Sequence, residues 1–298
     1  MIQFRHSISI KSILASLAAC LFVAGCSDDG LPTSAPIVPQ SQSSVTMSLT
    51  RATVDSFAQA GIGEVRFFAY IRQNKRDSLV KDTTVNLGDG QFDIGLPLGE
   101  NIRAFIVANA TGVEGTEKFD SVSLTLDPSH EANIWLSNVA SFTTDKTVSR
   151  VAFSLRRVVS RATFRPEEDA QTLASLDKFD NIGITFANIA TRYRISGDSA
   201  VAVSSAAMKV DASNGYSATI NSFPTREGLD PSAQLLLTFY RGTTVVNNSV
   251  ASIDGGFHYT GSHHYMITVP LTDNAFLETP WTRAAKITIP FQIHDITF

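Results

Sequence analysis

Cysteine is nearly missing from this 298-residue chain, which holds only Cys20 and Cys26. Neither leaves a pair for the body of the protein, so a fold exposed to oxidising surroundings must rest on its core rather than on disulfides. A charge excess of one sign is missing as well: 24 Lys and Arg face 28 Asp and Glu, for a net charge of −4. No basic stripe stands out, and without one there is no footprint for the phosphate neutralisation that drives nucleic-acid binding. Beyond the N-terminus no apolar run approaches the length of a membrane helix, so the body is expected to be soluble and only tethered.

What is present begins with that N-terminus. Arg5, His6 and Lys11 precede an apolar run, Ser12 to Gly25, too short to span a bilayer, which is the pattern of a secretory signal. The run ends in Val23-Ala24-Gly25-Cys26, which resembles the bacterial lipobox, where the chain is cut before the cysteine and that cysteine is lipidated. Residues 1–25 are therefore the expected signal peptide and Cys26 the expected lipid attachment site. Each buried acyl CH2 contributes about 0.8 kcal/mol, so two or more chains anchor stably. Ser27-Asp28-Asp29 resembles the acidic export signal of surface-exposed lipoproteins in the Bacteroidetes, which implies an outer-membrane, surface-exposed location. Residues 26–43, with Pro32, Pro36 and Pro39 among serines and glutamines, are expected to form a flexible tether.

Strand patterns fill the rest, which is longer than one core usually organises. Val45, Met47 and Leu49 alternate with Thr46, Ser48 and Thr50, and Val65, Phe67, Ala69 and Ile71 alternate with Arg66, Phe68, Tyr70 and Arg72. Asp82 to Leu87 and Gln91 to Leu96 flank Gly88-Asp89-Gly90, which reads as a hairpin. Ile102 to Val107 is almost continuously apolar and is expected to be buried on both faces. The polar run Thr143 to Lys146 is the expected boundary between domains 44–145 and 146–298. In Val148 to Phe164 the apolar parity flips near Arg156-Arg157, as a β-bulge would make it do. Glu167 to Phe179 is the one segment with a helical pattern. The predicted class is all-β: two tandem antiparallel sandwiches with one short helix.

Three segments carry a family resemblance. Ser149 to Phe164, SRVAFSLRRVVSRATF, resembles the opening of the second domain in the FimB-like fimbrial anchor family and its fimbrillin relatives. Leu96 to Asn109 and Tyr265 to Leu271, followed by Asp273-Asn274, are similar to further elements of that family, and their order and spacing span most of the chain. The resemblance implies transthyretin-like sandwiches, other fimbrial subunits as partners, no catalysis and no cofactor. It also implies assembly by strand addition, in which an extended segment of one subunit completes the sheet of the next. Some fimbrillin relatives are cut after an arginine at about the place of Arg51, which would start a mature chain at Ala52. In the last strand pattern Ile287, Ile289, Phe291 and Ile293 alternate with polar positions and Pro290, which suits either the last, edge strand of its own sandwich or a strand donated to a partner. A surface ligand, on host or bacterium, would follow from an adhesive role. A glycan-binding surface lipoprotein of a polysaccharide-uptake system would share the anchor and the sandwiches.

Other constellations have plainer readings. His258, His263 and His264 lack the spacing of a metal set, since neighbouring strand residues face opposite ways. Gly197-Asp198-Ser199-Ala200 reads as a turn rather than a nucleophile elbow. Trp135 lies in a strand pattern and reads as core, whereas Trp281 after Pro280 is the better candidate for stacking on a sugar. Asp77-Ser78, Asp82-Thr83, Asp120-Ser121 and Asp198-Ser199 look like the O-glycosylation signal of exported proteins in these bacteria.

Overall fold

The computed structural model describes residues 42–51, 57–74, 76–88, 90–145, 150–168, 172–173, 176–251, 257–269, 271 and 292–297. In chain order its strands are β1 (Gln42–Arg51), β2 (Glu64–Gln73), β3 (Arg76–Asn86), β4 (Gln91–Pro97), β5 (Asn101–Ala108), β6 (Gly112–Glu114), β7 (Ser123–Thr125), β8 (Trp135–Ser137) and β9 (Ala140–Thr143). The second half adds β10 (Arg150–Arg157), β11 (Ser160–Pro166), β12 (Asn181–Arg194), β13 (Ser199–Asp211), β14 (Ala218–Ser222), β15 (Gln234–Arg241), β16 (Thr244–Ala251), β17 (His263–Val269) and β18 (Gln292–Thr297). The all-β class expected from the alternation is what the chain adopts.

The first sheet runs β3-β2-β5-β8-β10-β1-β4, with β9 also on β5. Its alternating side chains fill one apolar cluster, in which Phe67 meets Phe92 of β4 and Phe153 of β10 edge-on at 6.1 and 6.3 Å. β2 and β3 form the hairpin, turning at Asn74, whose φ of 50° suits an asparagine. The hairpin expected around Gly88 to Gly90 is not formed. β4 leaves β3 and pairs with β1 across Gln42↔Pro97 to Ser48↔Gln91, where Phe92, Ile94 and Leu96 join the buried face of β1. Residues 42–43, expected in the tether, are thus already strand. A second departure is that β1 runs parallel to β10, from Thr46↔Arg150 to Arg51↔Leu155, although antiparallel sheets alone were expected.

The chain leaves the first sheet at Val158-Val159. Both residues are fully buried, and β11 then starts a four-stranded sheet, β14-β11-β17-β18, in which β11 and β17 are again parallel. The parity flip near Arg156-Arg157 is therefore a crossover between sheets and not a bulge. It also moves the sheet change beyond the expected 145/146 boundary, because β10 completes the first sheet by pairing with β1 and β8. A six-stranded sheet, β16-β15-β12-β7-β6 with β13 on the other side of β12, packs over the four-stranded one around Phe164, Phe186, Phe239 and Tyr265. β6 and β7 come from the first half of the chain yet join β12 through Arg192↔Thr125 to Arg194↔Ser123. A third cluster joins the halves: Phe68, Tyr70 and Phe105 on the second face of β2 and β5 pack with Val122, Leu124, Val158, Tyr193 and Phe223. β5 is buried on both faces, as its apolar run predicts. Of Glu167 to Phe179, the described residues 172, 173 and 176 are helical.

Candidate functional site

The site that the sequence resemblance singles out is β1 together with the two strands that hold it. Period-2 alternation turns Val45, Met47 and Leu49 to one face, where they are 0%, 0% and 6% exposed among Phe92, Ile94, Leu96, Phe153 and Leu155. The opposite face is polar and tied to both neighbours. The Thr46 hydroxyl donates to Asp93 Oδ1 at 2.6 Å, and the Thr50 hydroxyl donates to the Phe153 carbonyl at 3.3 Å. Arg150 Nη2 donates to Ser48 Oγ at 3.4 Å. At the far end Leu49 N–H donates to the Gly90 carbonyl at 2.8 Å. At Gly95, opposite Ser44, an added Cβ would come within 2.7 Å of Gln42 Oε1, a contact that the exposed end of the Gln42 side chain can relieve by moving.

β1 is thus an interior strand with β4 on one side, antiparallel, and β10 on the other, parallel. Taking it out would divide the sheet into two edges facing an apolar slot. Burying its three apolar side chains contributes roughly 5 to 9 kcal/mol, at about 1.5–3 kcal/mol each. A replacement strand would need the same direction, the same alternation and a similar length. Arg51 is the last residue of β1, opposite Leu155, and Ala52 lies outside the described residues. Sequence reasoning found β1 and Arg51 but missed the walls of the slot. The signal for β4 was there in Phe92, Ile94 and Leu96, which match the apolar spacing of Val45, Met47 and Leu49.

The other predicted residues are scattered. Cys26 and Trp281 lie outside the described residues, as do Ile287, Ile289 and Phe291. Ile293 is in β18, whose backbone pairs antiparallel with β17 at Ile267↔Ile293 and, among the described residues, ends the four-stranded sheet. The histidines do not converge. His263 Nδ1 lies 2.8 Å from the Gly261 carbonyl, His264 Nε2 lies 2.9 Å from Thr163 Oγ1, and His258 Nδ1 is 3.4 Å from Thr225 Oγ1. Among the described residues no group of three or more His, Cys, Asp or Glu could hold a metal ion. Asp198 sits in the β12–β13 turn at a φ of 47° and accepts from Arg156 and from the Tyr193 hydroxyl. Burial pushes that hydroxyl up to about 12, with the Asp198 carboxylate adding to the effect. Trp135 is buried, its indole N–H donating to Asn133 Oδ1 at 3.1 Å.

With this geometry in view, solved structures give the comparison. A protein from Bacteroides ovatus assigned as an adhesin matches with a TM-score of 0.57 at 9% identity, over 86% of this chain and 96% of its own. The chain shares its fold. A protein from Bacteroides thetaiotaomicron assigned as polysaccharide binding matches with a TM-score of 0.56 at 13% identity, over 85% and 98%. One from Bacteroides eggerthii assigned to cell adhesion gives 0.52 at 12%, over 88% and 97%. No protein-family model and no curated protein matches the chain.

Proposed function

We propose that this chain is a fimbrial subunit: a lipid-anchored protein of the cell surface, without catalytic activity, that works by polymerisation and attachment. The observation that carries the proposal is the placement of β1. A strand that lies between two others and ends at an arginine can be retained, leaving the subunit closed, or removed, leaving a slot for another subunit's strand. Other fimbrial subunits are the partners that such a slot would take. The C-terminal strand is the segment proposed for donation, because among the described residues β18 has a neighbour on one side only. Cys26 supplies the anchor to the outer membrane, and residues 27–41 lead from it to β1. The shared fold of adhesin-assigned proteins agrees with this reading.

The test is to shear filaments from the producing cells, separate them by size and sequence the N-terminus of this chain in the filament fraction. A start at a lipidated Cys26 marks a retained β1 and an anchoring subunit, whereas a start at Ala52 marks a shaft subunit. Absence from the filaments would instead favour a glycan-binding surface lipoprotein, the second reading, which the match to a polysaccharide-binding-assigned protein supports.

A further inference from the structure

Away from β1, a cavity of about 530 Å3 opens where the first sheet gives way to the second. Its wall comes from the turn between β5 and β6, from the loop 126–134, and from Arg157 and Arg161 on either side of the Val158-Val159 crossover. The loop is fixed from several sides. Asn221 donates through its backbone N–H to the Pro128 carbonyl at 2.8 Å and through Nδ2 to the His130 carbonyl at 2.7 Å. Asn133 Nδ2 donates to the Ala60 carbonyl at 2.8 Å, and Arg157 Nη2 to the Ala132 carbonyl at 3.3 Å. Walls held in this way need little further ordering when a ligand enters.

The electrostatics point to an anion. Both guanidinium groups are half-buried, and Arg157 is pushed below its ordinary value by burial first and by the charge of Arg161 second. His264, on β17 opposite Arg161, is lowered by burial and by the same two arginines. Glu131 pairs with Arg161 Nη2 at 2.6 Å from a position that is 81% exposed, so solvent screens much of its effect. Arg161 Nε is buried and finds no acceptor among the described residues. A carboxylate is planar, accepts two parallel N–H bonds from a guanidinium and would offset the repulsion between the arginines. Around these cations the rim offers acceptors: the Asp127 carboxylate, which also pairs with His130 at 2.8 Å, and the Asn109 side chain. Acceptors of that kind suit hydroxyl donors, and the volume lies within the usual range of about 300–1,000 Å3 for small-ligand sites.

We infer that this cavity binds a carboxylated saccharide, with the sugar acid displacing Glu131 from Arg161 and reaching Arg157, and the ring hydroxyls on Asp127 and Asn109. The inference goes beyond assembly and needs no strand exchange, so it stands or falls on the isolated chain. The probe is a short oligogalacturonate titrated calorimetrically into the full-length protein, with the uncharged galactose oligomer and a free-acid peptide as comparators. Arg161→Gln should weaken oligogalacturonate binding about tenfold or more, the usual scale for losing a charge-assisted pair. Glu131→Gln, at an exposed position that leaves the fold alone, removes the competing carboxylate and should tighten binding severalfold. Arg194→Gln, a change of the same charge at another site, should leave binding unaltered. Equal binding of the uncharged oligomer, binding of the peptide only, no binding of any probe, or binding that neither Arg161→Gln nor Glu131→Gln alters would each overturn the inference.

Discussion

Met47→Ala asks whether β1 holds the first core together. Met47 is fully buried, with Phe92 opposite it on β4 and Val151 opposite it on β10. Truncation to alanine loses the transfer free energy of the removed atoms, and the two flanking strands keep the site from collapsing, so a cavity term adds to it. Together these cost about 2–5 kcal/mol, a large share of the roughly 5–15 kcal/mol by which a domain is stable. Ser48 faces the other way and is half-buried, so Ser48→Ala should stay within about 0.5 kcal/mol. The assay is urea unfolding followed by Trp135 fluorescence, since Trp135 belongs to the same apolar cluster as Met47. The only other tryptophan, Trp281, is replaced by phenylalanine in all variants to leave one reporter. With a denaturant slope of about 1–3 kcal/mol per molar, the midpoint should fall on the order of 1 M for Met47→Ala and scarcely move for Ser48→Ala. Equal midpoints for the two variants would show that β1 does not carry the core, and the slot argument would fall with it.

Two further outcomes follow from the structure. Gly115 has a φ of 66°, and a Cβ there would lie 2.5 Å from the Ser121 carbonyl oxygen, so Gly115→Ala should destabilise by about 1–3 kcal/mol in the same unfolding assay; an unchanged midpoint would contradict it. Tyr193, held neutral by burial, contributes stability that is whole below the ordinary tyrosine value near 10 and lost as pH rises from there towards about 12. Tyr193→Phe should therefore flatten the loss of circular dichroism signal across that interval, and a slope identical to the parent's would refute the assignment.

How much of this was legible beforehand depended on whether a feature is local. The apolar run of β5 and the alternation of β1 and β2 are short-range signals, and each fixes which face of a strand is dry. Neither says which strand lies alongside. Gly88 to Gly90 therefore suggested a hairpin, whereas burial of Phe92, Ile94 and Leu96 against Val45, Met47 and Leu49 decides the pairing of β4 from almost fifty residues away in sequence. The parity flip at Arg156-Arg157 was equally ambiguous. A bulge and a passage between sheets both shift the phase by one residue, and only the burial of two consecutive valines in a core shared by both halves separates them. The cavity at Arg157 and Arg161 left no local trace, because its walls come from three distant segments.

The pairing that the sequence could not show is also what links anchorage to assembly in the proposed reading. Were β1 only the end of a tether, cutting after Arg51 would release the body and leave its core intact. Because β1 lies between β4 and β10, the same cut removes the link to Cys26 and three side chains of the core together. A body freed in that way has lost roughly 5 to 9 kcal/mol of burial and gained two unpaired strand edges, so it is poised to take up a strand from outside. One peptide bond would thus decide between two exclusive states: an anchored subunit whose slot is filled by its own chain, and a released subunit whose slot requires another's.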